Sequence, residues 1–186
     1  MLCQIAVADF FTTEVWTARG LVSYFTLFVI TVATRRVYIV GTTTNPNSEW
    51  MAQIARNLTD CEDGFLIGKR FLITDRDGEF SSRFGSILDG HGIEILLAAY
   101  LAPNMNAYAE RFVKSIKSEC LDQTIFLGRE SLVRTITEYV AHYHEERTHK
   151  GLRNSLINGA APQNERIVEV RERLGGLLKY YYRRAA

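Results

Sequence analysis

The chain has 186 residues, 47% of them hydrophobic and 23% charged, a composition that fits one globular domain with a proper core. Its net charge of +1 says nothing by itself about partners. Three cysteines, Cys3, Cys61 and Cys120, are odd in number and form no C-x-x-C pair, which excludes a disulfide framework or a zinc site and favours a reducing compartment with the thiols as small buried hydrophobes.

In chain order, residues 2–10 read as a strand with Asp9 at the end of Ile5-Ala6-Val7-Ala8. Residues 21–33 are strongly apolar, but 13 residues are too few to span a bilayer, so a buried strand is expected. No signal peptide is expected either, since the start lacks a basic stretch and a cleavage pattern. Arg35-Arg36 offers a turn, and residues 37–40 return as a third strand of an antiparallel meander. Asn45-Pro46-Asn47-Ser48 opens a helix with Pro near its first turn, and Met51, Ile54 and Leu58 form its buried stripe.

Residues 70–75 predict a fourth strand, Ser81 to Leu88 a short helix, and Ile93 to Leu97 a fifth strand. Pro103 closes a loop before a helix carrying Glu110, and a longer helix covers about 129–147, with a stripe of Leu132, Ile136, Tyr139, Val140 and Tyr143. His142, His144 and His149 cluster at its end and read as solvated or backbone-bonded rather than metal-binding. After Gly151 the chain reads as irregular, with Tyr180-Tyr181-Tyr182 in a packed helix or a disordered end. The pattern is that of an α/β fold with a mixed five-stranded sheet, meander first and parallel strands after, flanked by helices.

On the Glu110 helix, Met105, Ala109, Phe112 and Ile116 share the core face, while Asn106, Glu110, Lys114 and Lys117 share an adjacent polar one. Charge is uneven along the chain. Residues 1–102 carry a net −3 and residues 103–186 a net +4, which suits an anionic polymer held beside a metal site.

Asp9 and Asp75 each close an apolar strand run, and Glu110 sits in a helix. Two strand-end aspartates and a helix glutamate suit a hard divalent cation, because Mg²⁺ takes oxygen ligands and usually one or two carboxylates with water and phosphate. A pair of such ions holds both the attacking and the leaving oxygen of a phosphodiester.

Three motifs carry a resemblance. Asp9-Phe10-Phe11-Thr12, Thr74-Asp75-Arg76-Asp77-Gly78-Glu79-Phe80 and Pro103-Asn104-Met105-Asn106-Ala107-Tyr108-Ala109-Glu110-Arg111-Phe112 resemble the three motifs of the integrase/transposase catalytic core with an Asp-Asp-Glu triad. That core has a ribonuclease-H-like fold. The helix end His142 to Leu152 is similar to the segment closing bacterial insertion-sequence transposase cores, and 34 residues separate Asp75 from Glu110, close to the family spacing.

The resemblance implies that Asp9, Asp75 and Glu110 bind two Mg²⁺ or Mn²⁺ ions and are catalytic. It implies that Asn106, Arg111, Lys114 and Lys117 face DNA, and it prefers Asp75 to Asp77 because Phe80 then falls at the family's offset. The implied protein is a DNA transposase or integrase core that cleaves phosphodiesters and transfers strands. Such a protein would be a homo-oligomer in the bacterial cytoplasm near the nucleoid, with no membrane and no small-molecule cofactor. The catalytic core is expected over 1–155, with a C-terminal extension over 156–186 and no N-terminal DNA-recognition region. The segment Leu97 to Ala102 departs from the family, which has Thr/Ser, Pro and basic residues there. Two alternatives remain from the sequence: a nuclease on the same fold, and an inactive fragment serving as an interaction module.

Overall fold

The structure, a computed structural model, describes residues 2–75, 80, 82–97, 106–152, 154–158 and 168–183. The chain forms two compact units, residues 1–14 with 19–114, and residues 15–18 with 115–186.

The first unit is built on a five-stranded sheet of β1 (Ile5–Thr17), β2 (Gly20–Thr31), β3 (Val37–Thr43), β4 (Phe71–Thr74) and β5 (Glu94–Leu97), in the order β3-β2-β1-β4-β5. β2 and β3 are antiparallel. β1 and β4 are parallel, as are β4 and β5. This is the mixed sheet expected from the sequence. The apolar run of β2 is explained by its burial, which alternates at first and becomes continuous from Thr26 to Thr31, where the strand has cover on both faces.

α1 (Ser48–Leu58) starts where Asn47 accepts the Trp50 N–H at 2.9 Å, and Glu49 complements the positive end of the helix. Pro46 therefore precedes the cap rather than sitting in the first turn. The helix stops at Thr59, whose hydroxyl turns back to the Ala55 carbonyl at 2.9 Å. α2 (Ser82–Asp89) buries Phe84 and Leu88.

Met51, Ile54, Ala55 and Leu58 of α1 join Phe84 and Leu88 of α2 against Ala6, Ala8, Leu27, Val29 and Leu72 of the sheet. Truncating one of these large residues, such as Leu58→Ala, costs about 2–5 kcal/mol. Alternation sends Phe11 and Phe28 to the opposite face. There the Phe28 ring meets Phe11 at 5.9 Å and Phe112 of α3 (Ala107–Glu119) at 4.8 Å between centroids.

The second unit contains α4 (Gly128–Glu145), which buries Leu132, Ile136, Tyr139 and Tyr143. Its C-terminal segment is a correction to the irregular tail expected. β6 (Val168–Arg173) and β7 (Leu178–Arg183) form an antiparallel hairpin from Val168↔Arg183 to Arg173↔Leu178. Three consecutive tyrosines hid the period of two. Tyr180 and Tyr182 stack on one face at 5.7 Å, while Tyr181 points to the other and is exposed. The turn uses left-handed backbone at Leu174, Gly175 and Gly176.

The cysteines also differ from expectation. Cys120 is buried, but Cys3 and Cys61 are exposed, one in the turn before β1 and the other in the loop after α1.

Candidate functional site

β1 and β4 run parallel, with Ile5 opposite Phe71 and Ala8 opposite Thr74. The residue after each partner of the last pair is an acid: Asp9 continues β1, and Asp75 is the first residue past the end of β4. Alternation directs Asp9 toward the face of Val7 and Phe11. β4 ends at Thr74, which leaves Asp75 exposed at the carboxyl end of the parallel strands, where open α/β sheets place their ligand crevice. Asp9 is half-buried.

Asp9 is held at both oxygens. Its Oδ1 accepts the Phe10 N–H at 2.7 Å, and its Oδ2 accepts the Asn106 amide at 3.2 Å. Asn106 is 8% exposed and stands just before α3. Its carbonyl accepts the Glu110 N–H at 3.0 Å, which places Glu110 one turn along, exposed in the acid-favouring first turn. Arg111 and Lys114 are exposed on the same helix, and Lys117 is half-buried on the portion belonging to the second unit.

Asp9 and Asn106 are thus brought into contact, Asp9 and Asp75 each follow a partner of the Ala8–Thr74 pair, and Glu110 lies within a helical turn of Asn106. Among the described residues, no three of His, Cys, Asp and Glu are grouped closely enough to hold an ion as they stand. Asp77, the alternative second acid, and the segment 98–105 with Pro103 and Met105 lie outside the described residues.

Three buried side-chain polar atoms among the described residues have no hydrogen-bond partner: Thr13 Oγ1, Thr74 Oγ1 and Asn106 Oδ1. Each such atom costs about 1–3 kcal/mol. Only Asn106 belongs to the acid site, through its bond to Asp9; Thr74 faces the side of the sheet opposite Ile73, and Thr13 lies four strand residues, roughly 13 Å, along from Asp9. Carboxylate and amide oxygens with no thiolate among them fit a hard divalent cation.

The start of α3 has a further anchor that the sequence did not reveal. The Arg35 guanidinium lies 3.6 Å from the Tyr108 ring centroid, and its Nη1 donates to the Val32 carbonyl. Arg35 itself takes left-handed backbone, φ 63°, in the turn after β2.

In the second unit, Arg147 donates to Glu119 with Nε at 3.1 and 3.2 Å and Nη2 at 2.7 Å, and Tyr139 donates to the same carboxylate at 2.9 Å. Burial, then the Glu119 charge, pushes the Tyr139 hydroxyl far above its ordinary range, and the same two causes push the Cys120 thiol up to about 11. The histidines are buried. His149 Nε2 bonds the Tyr143 carbonyl at 2.8 Å, as a backbone-bonded reading expects, while His142 pairs with Glu146 at 2.8 Å. No local pattern announces Glu119 with Arg147, since 28 positions separate them. The i,i+4 spacing of His142 and Glu146 was a usable signal.

Comparison with known proteins bears on the fold and on the segment around Glu110. A family model described as Integrase core domain matches residues 91–155, a span that includes Glu110 and begins after Asp9 and Asp75. The insertion element IS476 uncharacterized 39.2 kDa protein of Xanthomonas euvesicatoria is 36% identical over 81 residues, 43% of this chain and 23% of that protein. The chain therefore spans about a quarter of that relative's length.

Among solved structures, the simian T-cell lymphotropic virus intasome in complex with PP2A regulatory subunit B56 gamma matches with a TM-score of 0.57 at 14% identity, covering 97% of this chain and 66% of that one. The trimeric form of the HTLV-2 integrase catalytic core domain in complex with magnesium gives 0.53 at 12% identity, covering 83% and 93%. Its dimeric form gives 0.50 at 13%, covering 80% and 91%. No helix among the described residues is long and apolar enough to cross a membrane. Residues 91–155 are thus similar to the integrase core domain, and the fold is that of the integrase catalytic cores it resembles.

Proposed function

We propose that the chain is the catalytic core of an insertion-element DNA transposase, cleaving phosphodiester bonds and transferring strands, with Asp9, Asp75 and Glu110 as its acids. The observation carrying this reading is that Asn106 ties Asp9 to the start of the Glu110 helix, while Asp9 and Asp75 each follow a partner of the Ala8–Thr74 register pair. The core spans 1–155 and the segment 156–186 extends it.

Asp9 offers a pre-oriented carboxylate, Asp75 one at the exposed strand end, and Glu110 one on the helix surface. Two bound Mg²⁺ or Mn²⁺ ions would supply the charge that acidifies an attacking water or DNA 3′-hydroxyl and offsets charge on the leaving oxygen. Arg111, Lys114 and Lys117 hold the DNA backbone as phosphate contacts, so binding weakens steeply with salt. Asn106 lines the site beside Asp9 rather than gripping the DNA backbone. The HTLV-2 core with magnesium supports the cation class, and its dimeric and trimeric forms support self-association. The Xanthomonas insertion element supports a bacterial, cytoplasmic setting.

The test is a labelled duplex incubated with the full chain and Mn²⁺, scored for hydrolysis and for joining to a target plasmid. The parent cuts and joins, and Glu110→Gln does neither while keeping its circular dichroism and melting temperature. Equal cutting by Glu110→Gln sinks the assignment. Cutting without joining marks a nuclease instead.

A further inference from the structure

We propose that Asn106 is a positioning residue for Asp9. Its amide nitrogen sets the carboxylate toward the cation, and its buried Oδ1 is an acceptor held for a water of the incoming hydrated divalent ion. This deepens the reading above and rests on it.

Two independent observations carry the inference. The Asn106 Nδ2 donates to Asp9 Oδ2 at 3.2 Å, a contact between residues 97 positions apart. The other end of the same amide, Oδ1, is buried and has no partner. The amide's orientation is fixed chemically. Turning it over would set a carbonyl oxygen against a carboxylate oxygen, two acceptors with no proton between them. With Phe10 N–H on Asp9 Oδ1 and Asn106 on Oδ2, the carboxylate plane is locked from both sides.

What remains is a single acceptor, one amide bond from the Asp9 contact and shielded from solvent. A protein side chain rarely keeps such an atom unpaired unless a ligand satisfies it. The ligand must bring a donor, and it must suit a site whose neighbouring groups are carboxylates. A hydrated divalent cation meets both demands, because Mg²⁺ retains several of its waters when bound and those waters donate strongly. Partners that orient a ligating carboxylate commonly tune metal affinity by 10–100-fold. At 8% exposure Asn106 has little surface left for a direct DNA contact, and a role in DNA binding alone makes a different prediction for the DNA-free protein.

The experiment is calorimetric titration of the full, metal-free chain with MnCl₂ in the absence of DNA, alongside melting curves. Asn106→Leu, close in volume but without donor or acceptor, is expected to weaken Mn²⁺ about 10–100-fold. Asn106→Gln should recover part of that loss, and Asp9→Asn should abolish binding. If Asn106→Leu unfolds, Asn106→Ala is read in its place with the same expectation. Parent-like Mn²⁺ affinity in the folded leucine or alanine variant overturns the positioning role while leaving the acid site standing. A parent that does not bind Mn²⁺, or binds it equally well after Asp9→Asn, overturns both.

Discussion

Asp9 and Asp75 each follow one partner of the Ala8–Thr74 register pair, Asp9 within β1 and Asp75 just past the end of β4. Like charges opposite one another in a sheet are destabilising by a few tenths of a kcal/mol to about 1 kcal/mol. Asp75→Asn is therefore expected to raise the melting temperature of the metal-free chain slightly while eliminating Mn²⁺-dependent DNA cleavage. Millimolar Mn²⁺ should raise the melting temperature of the parent, because a ligand that binds only the folded state stabilises it, and should leave the variant unmoved. Calorimetric melting with and without Mn²⁺ checks both; a cation-insensitive parent would contradict the assignment.

The hairpin of the second unit is held to α4 and its cap through Arg173, which reaches the carboxylates of Glu138, Glu145 and Glu146. Arg173 Nε reaches the Glu146 oxygens at 3.0 and 3.1 Å, and its Nη1 reaches Glu138 at 2.9 Å. Burial alone works to raise Glu146, but hydrogen bonds and charge from Arg173 and His142 outweigh it and hold the carboxyl below its ordinary 4.5. A depressed folded value means the stabilisation is present above 4.5 and disappears as pH falls through the lower folded value. Glu146→Gln should lower stability by about 2 kcal/mol at neutral pH and flatten the acid limb of the melting-temperature profile. A variant with an unchanged acid limb would remove this carboxylate from the account.

Glu119 serves Tyr139 and Arg147 together, so its loss removes the bond it accepts from the buried Tyr139 hydroxyl and those from the half-buried Arg147, which also donates to Ser115 Oγ. Tyr139→Phe is expected to cost about 1 kcal/mol and Glu119→Leu about 2–3 kcal/mol. The double variant should cost less than the two added, because both changes remove the same bond. Urea unfolding of the three proteins measures this; strict additivity would mean the hydroxyl and carboxylate do not interact.

Gly64 sits where a Cβ would lie 2.4 Å from the Asp60 carbonyl and 2.8 Å from that of Leu58. These are backbone atoms in a turn where Gly64 N–H already bonds the Asp60 carbonyl and Leu66 N–H bonds Leu58. Gly64→Ala should destabilise by about 2 kcal/mol or more, an overpacking cost that no side-chain rotation relieves. A melting temperature equal to the parent's would show that the loop re-forms at little cost.

The order and type of the elements through α4 were legible in the sequence because each declares itself locally. Apolar runs mark the strands, the 3.6-residue stripes of Met51, Ile54, Leu58 and of Leu132, Ile136, Tyr139 mark the helices, and Asn47 marks a cap. The C-terminal hairpin was not legible. Its outer face is charged or aromatic, and it is stabilised by Arg173 on Glu146, a contact across 27 positions.

By itself the sequence determined which residues have the chemistry: two acids after apolar strand runs, one on a helix, and an asparagine a turn before it. Only the tertiary structure decided that β1 runs on past Asp9 to Thr17, that Asp9 and Asp75 follow the partners of one register pair, that Asn106 turns inward onto Asp9 with one oxygen unpaired, and that Arg35 stacks on Tyr108. Register and contact between distant segments arise from packing whole faces together, and no window of neighbouring residues contains that information.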